Sequence, residues 1–281
     1  MKPLPLLEVG GVSVAGLETC IDVPELKLCF DVGRCPRWAV DRSTVLFTHT
    51  HLDHLGGVAA HAGTRAMLGQ KPPKYVIAPE HAAALERLFE TWRELDQGEL
   101  PYELVTADLD SEVRLARDWT ATAFRSVHRI ACQGYTLRRR RTRLDPRYAG
   151  SSERELARLG AAGVQLSTET WVDELAFTGD TRVDVLDREE HLLRTRVLVI
   201  ECSFLDERVP VEKARSTGHT HLDEIVERAD RFENERVVLT HFSSRYSPDE
   251  VRRLLDRKLP TTLRERVVPL LRPAPPGNAG P

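Results

Sequence analysis

The sequence predicts an α/β protein in which stacked β-sheets carry helices on their outer faces. Three observations support this prediction. Short apolar runs recur along the chain, helical patterns alternate with them in the second half, and 41% of the 281 residues are hydrophobic, which is enough for a sizeable core. No long linker or repeat of fixed period divides the chain, so we expect a single domain over residues 1–271.

Most of the apolar runs are about four to eight residues long and end in Gly, Asp, Pro or His, which is typical of strands. In chain order they lie in VSVAGLETCIDV, LKLCFDVG, TVLFTHT, KYVIAP, WTATAF, ELAFTGDT, VLVIEC and RVVLTHF. Helices are predicted where apolar residues recur every three or four positions, in PEHAAALERLFETWREL, SERELARLGAAG and HLDEIVERADRFENE. The tail RPAPPGNAGP, residues 272–281, is rich in Pro, Gly and Ala, so we expect it to be disordered.

Composition argues against several classes of protein. No stretch approaches the roughly 18 apolar residues of a membrane helix, and the N-terminus MKPLPLLEVGG lacks the apolar segment of a signal peptide, so we expect a cytoplasmic protein without a membrane partner. The five cysteines are scattered and form no C-x-x-C pair, which argues against a disulfide framework and against a thiolate zinc site. The net charge of −3 argues against nucleic-acid binding through overall charge, although a local basic surface remains compatible with it.

One such local surface is LRRRRTRLDPR, residues 137–147. It has two interpretations, a solvated loop or strand edge, and a surface that contacts phosphates. Only a neighbouring active site could decide between them. The candidate substrate-binding residues are Arg138, Arg139, Arg140, Arg141 and Arg143.

The segment VLFTHTHLDHLGG, residues 45–57, contains the pattern H-x-H-x-D-H where a predicted strand ends. In an extended chain alternate side chains share a face, so His49, His51 and Asp53 can converge, and a turn would bring His54 to a second point. This geometry suits two metal ions. Imidazole and carboxylate ligands favour Zn²⁺, with Mn²⁺ or Fe²⁺ as alternatives. The competing interpretation, polar loop residues with their own hydrogen bonds, is weakened by four ligand-type side chains in six positions.

Three further ligand types follow other predicted strands: His128 in AFRSVHRI, Asp180 in LAFTGDTR and His241 in VVLTHFSSRY. An α/β fold gathers its functional loops at such strand ends. We therefore assign one metal to His49, His51 and His128, a second metal to Asp53, His54 and His241, and a bridging position to Asp180. Two dications about 3.5–4 Å apart can activate water and stabilise both oxygens of a displacement, so the predicted chemistry is hydrolysis, with phosphodiesters as natural substrates.

These motifs, in this order, resemble the metallo-β-lactamase superfamily, which implies an αββα sandwich of two mixed β-sheets flanked by helices. The finer resemblance is to ribonuclease Z, the zinc endonucleases that trim the 3′ ends of precursor tRNAs. It is carried by FTGDTR, ECSFLDE, TGHTHLDEI and THFSSRYS. The segments GLETCIDVPELKLCFDVGRCPRWAV and HTHLDHLGGV are similar to the short, plant-type form. The resemblance covers roughly residues 9–271.

The resemblance implies precursor tRNA as substrate, two Zn²⁺ per subunit and a homodimer. It implies that Asp53 is both a metal ligand and the proton acceptor from the attacking water. It places His219 as the histidine that assists the leaving oxygen or steadies the phosphate, with Glu201 orienting it. A carboxylate beside a histidine raises its proton affinity and fixes its tautomer, which suits a general acid. The alternative is that His219 or His221 caps the next helix.

The sequence departs from the family pattern between Arg141 and Val172, which reads as a short helix and loop rather than the Gly- and Pro-rich arm of the usual bacterial enzyme. Either a reduced arm binds tRNA with support from the arginine cluster, or the substrate is smaller. Two other functions therefore remain open: a hydrolase of small phosphodiesters, cyclic nucleotides or sulfate esters, and an RNA-binding protein without catalysis. His61, His81 and His191 have no evident partners, and we expect them at the surface.

Overall fold

Two mixed β-sheets pack face to face in the computed structural model, which describes residues 5–271. The first sheet contains β1 (Gly10–Ala15), β2 (Glu18–Val23), β3 (Leu28–Phe30), β4 (Thr44–Leu46), β5 (Lys74–Ile77), β6 (Glu103–Thr106) and β13 (Phe242–Ser243). The second contains β7 (Glu112–Ala116), β8 (Trp119–Arg125), β9 (Gln133–Leu144), β10 (Ser167–Phe177), β11 (Val197–Glu201), β12 (Arg236–Thr240) and β14 (Val267–Pro269). The tail expected to be disordered, residues 272–281, lies outside the described residues.

The strand order is β13-β1-β2-β3-β4-β5-β6 in the first sheet and β14-β12-β11-β10-β9-β8-β7 in the second. Strands β3 to β6 run parallel, as do β10, β11, β12 and β14, whereas β7 to β10 pair antiparallel. Parallel strands are buried on both faces and therefore read as continuous apolar runs. This is why KYVIAP, VLVIEC and RVVLTHF could be recognised from the sequence.

Helices cover the outer faces of both sheets. They are α1 (Leu52–Leu55), α2 (Val58–Met67), α3 (Pro79–Asp96), α4 (Glu153–Ala161), α5 (Val185–Arg188), α6 (Val211–Thr217), α7 (Leu222–Val226), α8 (Pro248–Lys258) and α9 (Thr261–Arg264). Short 3₁₀ helices occupy Pro24–Leu26, Arg37–Asp41, Pro146–Tyr148, Glu190–Leu193 and Ala229–Arg231. Among the described residues, no helix combines the length and the apolar character needed to cross a membrane.

Three apolar clusters hold these layers together. The central cluster lies between the sheets, where the ring centroids of Phe30 and Phe177 are 5.1 Å apart. A second cluster packs the first sheet against α2 and α3, and a third packs the second sheet against helices that include α5, α7 and α8. The predicted αββα layering is therefore present.

The sequence patterns missed four strands and overextended one helix. Strand β9 was not predicted because its outer half carries five arginines in place of an apolar run, and β6, β7 and β14 are short. The helix predicted over HLDEIVERADRFENE ends at Val226 and is followed by a 3₁₀ turn, where Ala229 and Phe232 pack into the third cluster.

Residues 141–172, which we call the arm, differ from the predicted helix and loop. The predicted helix exists as α4, but the flanking segments are strand, because β9 and β10 remain paired out to Leu144 and Ser167. Strand β8 pairs with β9 only as far as Arg139, and β11 pairs with β10 only from Leu175 onward. The arm is therefore a β-hairpin with a helix at its tip that extends beyond its neighbouring strands, and α4 has no buried residue.

Candidate metal centre

The ends of four strands bring the predicted ligand residues together. His49 and His51 follow β4, His128 follows β8, Asp180 follows β10 and His241 follows β12. The ligand-type atoms lie within 4.8 Å of one another inside each of three groups. These groups are His49, His51, His128 and Asp180; Asp53, His54 and His241; and Asp180, His219 and His241.

The first group is a set of imidazoles whose nitrogens face one another. His51 Nδ1 lies 3.0 Å from His49 Nε2 and 3.4 Å from His128 Nε2. Burial lowers the pKa of His49 well below its ordinary value, and it also lowers the pKa values of His51 and His128. Because these rings are neutral and their nitrogens converge, they present the lone pairs that a metal ion requires.

The second group contains two buried nitrogens that have no hydrogen-bond partner, His54 Nε2 and His241 Nε2. Each lies 3.3 Å from Asp180 Oδ1, and Asp53 Oδ2 is 3.7 and 3.6 Å from them. Leaving buried polar atoms unsatisfied is costly. A cation between these nitrogens and carboxylates would satisfy all of them, so the residues fit a metal cofactor.

The charge of the site also favours a cation. Burial alone would lower the pKa of His54, but the negative charges of Asp180 and Asp31 more than offset it and raise this pKa well above its ordinary value. Burial likewise disfavours the charged form of Asp180, yet the surrounding histidines hold its pKa well below the usual range. The carboxylates of the site therefore attract positive charge, either as a proton on a histidine or as a metal ion.

In four of these histidines Nδ1, the ring nitrogen that faces away from the site, makes a hydrogen bond, so Nε2 points into the site. In each case Nδ1 donates: His49 to Thr48 Oγ1 at 3.0 Å, His54 to Asp31 Oδ2 at 2.8 Å, His128 to the Gly218 carbonyl at 2.9 Å and His241 to Ser203 Oγ at 3.0 Å. Thr48 donates its own hydroxyl proton to Asp31, and Ser203 donates to Glu201. These bonds select one tautomer for each ring.

Sequence reasoning missed the partners Asp31, Thr48 and Ser203. Asp31 ends the predicted strand LKLCFDVG, so its strand-end position was a signal, but its pairing with His54 depends on the fold. Two glycines let the backbone lie close to the candidate ligand residues. A Cβ on Gly33 would lie 2.0 Å from the Asp53 carbonyl oxygen, and a Cβ on Gly218, whose φ is +83°, would lie 2.8 Å from His128 Nδ1.

His219 and Glu201 form a pair at the edge of the cluster. His219 Nδ1 donates to Glu201 Oε1 at 2.8 Å, while Glu201 also accepts bonds from the Thr181 amide and from Ser203. The His219 ring centroid lies 5.1 Å from that of His128 and 5.4 Å from that of His241. Burial lowers the pKa of His219, but the charge and hydrogen bond of Glu201 outweigh burial and raise this pKa to about 9. Glu201 therefore favours the protonated form of the ring.

Of the two histidines considered as a helix cap, His221 is the one that caps α7. Its Nδ1 accepts a hydrogen bond from the Asp223 amide at 3.1 Å, and Glu224 Oε2 accepts one from the His221 amide at 3.0 Å, which completes a capping box on α7. His219 takes no part in this cap.

Comparisons with known proteins identify the family. A family model described as a beta-lactamase superfamily domain matches residues 33–242. Two relatives from Arabidopsis thaliana, tRNase Z TRZ1 and chloroplastic tRNase Z TRZ2, are each 38% identical over 264 residues, which cover 93% of this chain and 94% and 74% of the relatives. The chain belongs to the tRNase Z family. The resemblance predicted from the motifs is thereby confirmed.

Solved structures agree with this assignment at the level of the fold. The short form of human tRNase Z superposes with a TM-score of 0.58 at 18% identity, covering 85% of this chain and 93% of that chain. The metallo-β-lactamase fold protein YhfI from Bacillus subtilis gives a TM-score of 0.58 at 13% identity, covering 93% and 94% of the two chains. The predicted αββα sandwich is confirmed, and this member of the tRNase Z family has a histidine and aspartate cluster that fits a metal cofactor.

The arginine cluster is less uniform than its sequence suggests. Three members form ion pairs: Arg138 with Asp173 and Glu112, Arg140 with Asp118 and Glu169, and Arg141 with Glu174. Arg139 lies over the Trp119 ring, with its guanidinium carbon 5.4 Å from the centroid. Arg143 has no ion pair within residues 5–271.

His61 was expected at the surface, and the structure corrects this. It is fully buried on α2, where its Nδ1 lies 2.9 Å from the Tyr75 hydroxyl and its Nε2 lies 3.0 Å from the Ala39 carbonyl oxygen. His81 and His191 are half-buried, and each has a partner: Nε2 of His81 with the Ala131 carbonyl, and Nε2 of His191 with Thr136 Oγ1. None of the three belongs to the metal cluster.

Proposed function

We propose that this protein is a metal-dependent endoribonuclease that hydrolyses one phosphodiester at the 3′ end of precursor tRNA, removing the trailer and leaving a 3′-hydroxyl. The observation that carries the proposal is His219, held by Glu201, directly beside a cluster that fits metal ions. Relatives that share 38% of their residues with this chain are named tRNase Z.

We propose Zn²⁺ as the metal, in two positions. Nitrogen and carboxylate ligands in this proportion suit zinc, although Mn²⁺ and Fe²⁺ accept the same donors. One ion would be held by His49, His51 and His128 and the other by Asp53, His54 and His241, with Asp180 between them. When bound, such ions supply positive charge that acidifies water and stabilises the phosphate oxygens. Measuring metal content by mass spectrometry after purification tests both the number and the element.

The side chains divide the proton transfers between them. Asp53 provides a carboxylate, held by the Gly16 amide at 2.8 Å, that accepts a proton from the attacking water. His219 donates a proton to the 3′ oxygen as it leaves, and Glu201 keeps that histidine charged and oriented. Because His219 is only partly buried, with 18% of its side chain exposed, it can reach a bound phosphate.

We propose that the arm binds the tRNA through its exposed cations. The predicted substrate-binding residues Arg138 to Arg141 and Arg143 lie on β9, along and below the arm. Within residues 5–271, Arg143, Arg154 and Arg158 form no ion pair, so their charges are available to phosphates. Arg138, Arg140 and Arg141 are already neutralised by carboxylates, so we expect them to contribute less.

We further propose a homodimer that acts in the cytoplasm. A surface over α1, α2 and α3 exposes large apolar side chains, of which Leu52 is 83%, Met67 77% and Leu95 71% exposed. A groove of about 540 Å³ lies in this surface, lined by residues that include Ala60, Met67 and Trp92. Exposed apolar patches of this kind mark protein interfaces, and a second copy of the chain is the partner that we propose.

The decisive experiment is cleavage of a 3′-extended precursor tRNA by metal-loaded protein, with 3′-end mapping of the product. A small chromogenic phosphodiester is run in parallel, and a tRNA without a 3′ extension is the control substrate. We expect a single cut next to the acceptor stem. Turnover of the small ester without tRNA cleavage would support a metal-dependent hydrolase but refute precursor tRNA as its substrate.

A further inference from the structure

A buried carboxylate, Glu174, lies just below the arm and is 2% exposed. It lies where the pairing of β9 with β10 shifts: Asp173 pairs with Arg138, whereas Leu175 pairs with Leu137. Glu174 is therefore the extra residue of a β-bulge. A bulge bends its strand and changes the direction of the chain beyond it, and this one lies where the hairpin leaves the second sheet.

Two arginines from different parts of the fold bind this carboxylate. Arg141, on the arm, donates from Nη2 to Glu174 Oε1, and Arg196, just before β11, donates from Nη1 to Oε2 at 2.6 Å. The Arg196 amide also donates to the Asp173 carbonyl at 3.0 Å, so this one residue holds both the backbone and the carboxylate of the bulge. Arg196 Nε donates in turn to Glu235 Oε1 at 2.6 Å.

A buried charge requires its partners, because separating it from them leaves an uncompensated charge out of water. If the arm swung away from the body, Glu174 would keep one arginine and lose the other. The arrangement in which both arginines reach the carboxylate is therefore favoured over other directions of the arm. Such use of a buried ionic group for conformational specificity has precedent in other proteins.

We propose that Glu174 is a positioning residue that joins Arg141 of the arm to Arg196 of the body and so fixes the direction in which the arm presents tRNA to the metal cluster. The proposal rests on the proposed function insofar as the arm binds tRNA. The direction of the arm itself can be measured without any RNA.

The kinetic test uses Glu174→Gln, which keeps the shape but places an amide nitrogen against an arginine donor. We expect KM for the precursor tRNA to rise about tenfold or more, while kcat for a small chromogenic phosphodiester stays unchanged. The matched control is Glu235→Gln, which removes the exposed partner of the same Arg196 and should change neither value. An equal loss of tRNA and small-ester activity would show a merely structural role and overturn the proposal.

The structural test measures the distance between spin labels on the arm and the body, at Ala161→Cys and Arg188→Cys, with Cys35→Ser to prevent labelling of a half-buried thiol. We expect a narrow distribution in the parent protein and a broad one with Glu174→Gln. Arg141→Met, which leaves Glu174 paired with Arg196, should also broaden the distribution of label distances. It replaces Glu174→Gln in this test if Glu174→Gln does not fold. An unchanged narrow distribution in the folded variant would overturn the proposal. Absence of tRNA cleavage by the parent protein would refute the proposed function alone, since this measurement involves no RNA.

Discussion

Replacing Glu201 with glutamine should lower the pKa of His219 and shift the pH dependence of catalysis. The charge and hydrogen bond of Glu201 overcome the effect of burial and raise this pKa from 6.5 to about 9. The difference of about 2.5 between these values corresponds to roughly 3 kcal/mol in favour of the protonated ring. Since burial acts in the opposite direction, the interaction with Glu201 is at least of this order.

In the proposed mechanism His219 must be protonated to donate to the leaving oxygen. With Glu201→Gln and a pKa of 6.5 or lower, about a tenth of the rings remain protonated at pH 7.5. We therefore expect kcat to fall about tenfold at pH 7.5 and to recover in large part at pH 6. The assay is kcat for cleavage of precursor tRNA, whose 3′ oxygen needs a proton to leave, between about pH 5.5 and 9.5, together with an NMR titration of the His219 ring. Any bound metal is common to both proteins, so the comparison isolates Glu201.

Glu224→Gln is the matched control, because Glu224 is equally buried but caps α7 instead of contacting His219. Glu224→Gln should lower the free energy of unfolding without shifting the pH dependence of kcat. The raised pKa also contributes folding stability that is complete below about pH 6.5 and is lost as the pH rises through about 9. The difference in unfolding free energy between the parent and Glu201→Gln should therefore be largest at low pH. A uniform fall in kcat at every pH, with the His219 titration unmoved, would refute this reasoning.

Three further predictions concern the ligand support, the arm and the apolar surface. Asp31→Asn removes the charged partner of His54 and should weaken metal affinity by about 10–100-fold, measured by competition with a chelator; an unchanged affinity would contradict the role given to Asp31. Replacing Arg143, Arg154 and Arg158 together with alanine should lower tRNA affinity and reduce the salt slope by up to about 3, with small-ester turnover unaffected, whereas Arg147→Ala, which breaks an ion pair with Asp145, should change the slope less. Met67→Glu should convert the dimer to monomer in sedimentation experiments, and a monomeric parent protein would rule out the proposed homodimer.

The clustering of the proposed metal ligands could be predicted because their positions follow a local rule. Each ligand segment follows an apolar strand, and strand ends of parallel sheets meet at one edge. Reading the strands TVLFT and VVLT therefore placed His49 and His241 together, although they are far apart in sequence. The hydrogen bonds behind the ligands follow no such rule. Ser203 and His241 are 38 residues apart, and a serine after a strand carries no signal of its own.

His61 shows a second limit, since a polar residue can lie on the buried face of a helix. The buried positions of α2 are Val58, His61, Ala62 and Arg65, which are spaced as an amphipathic helix requires. The spacing was visible in the sequence, but burial of His61 depends on partners supplied by Tyr75 and Ala39. Only the packed structure shows that both ring nitrogens are satisfied.

The basic run on β9 was ambiguous because a strand divides it between two faces. Alternate side chains point to opposite sides, so Arg139 and Arg141 share the face of the buried Leu137, while Arg138 and Arg140 lie on the other. On the first face Arg139 packs on Trp119 and Arg141 pairs with Glu174, and on the second face the arginines meet acidic partners. A run of like charges in sequence is thus not one basic surface. Arg139 makes no ion pair but packs on Trp119. Within residues 5–271, Arg143 is the first arginine of the run with neither an acidic nor an aromatic partner, so RNA contact is expected farther out on the arm than the sequence alone indicated.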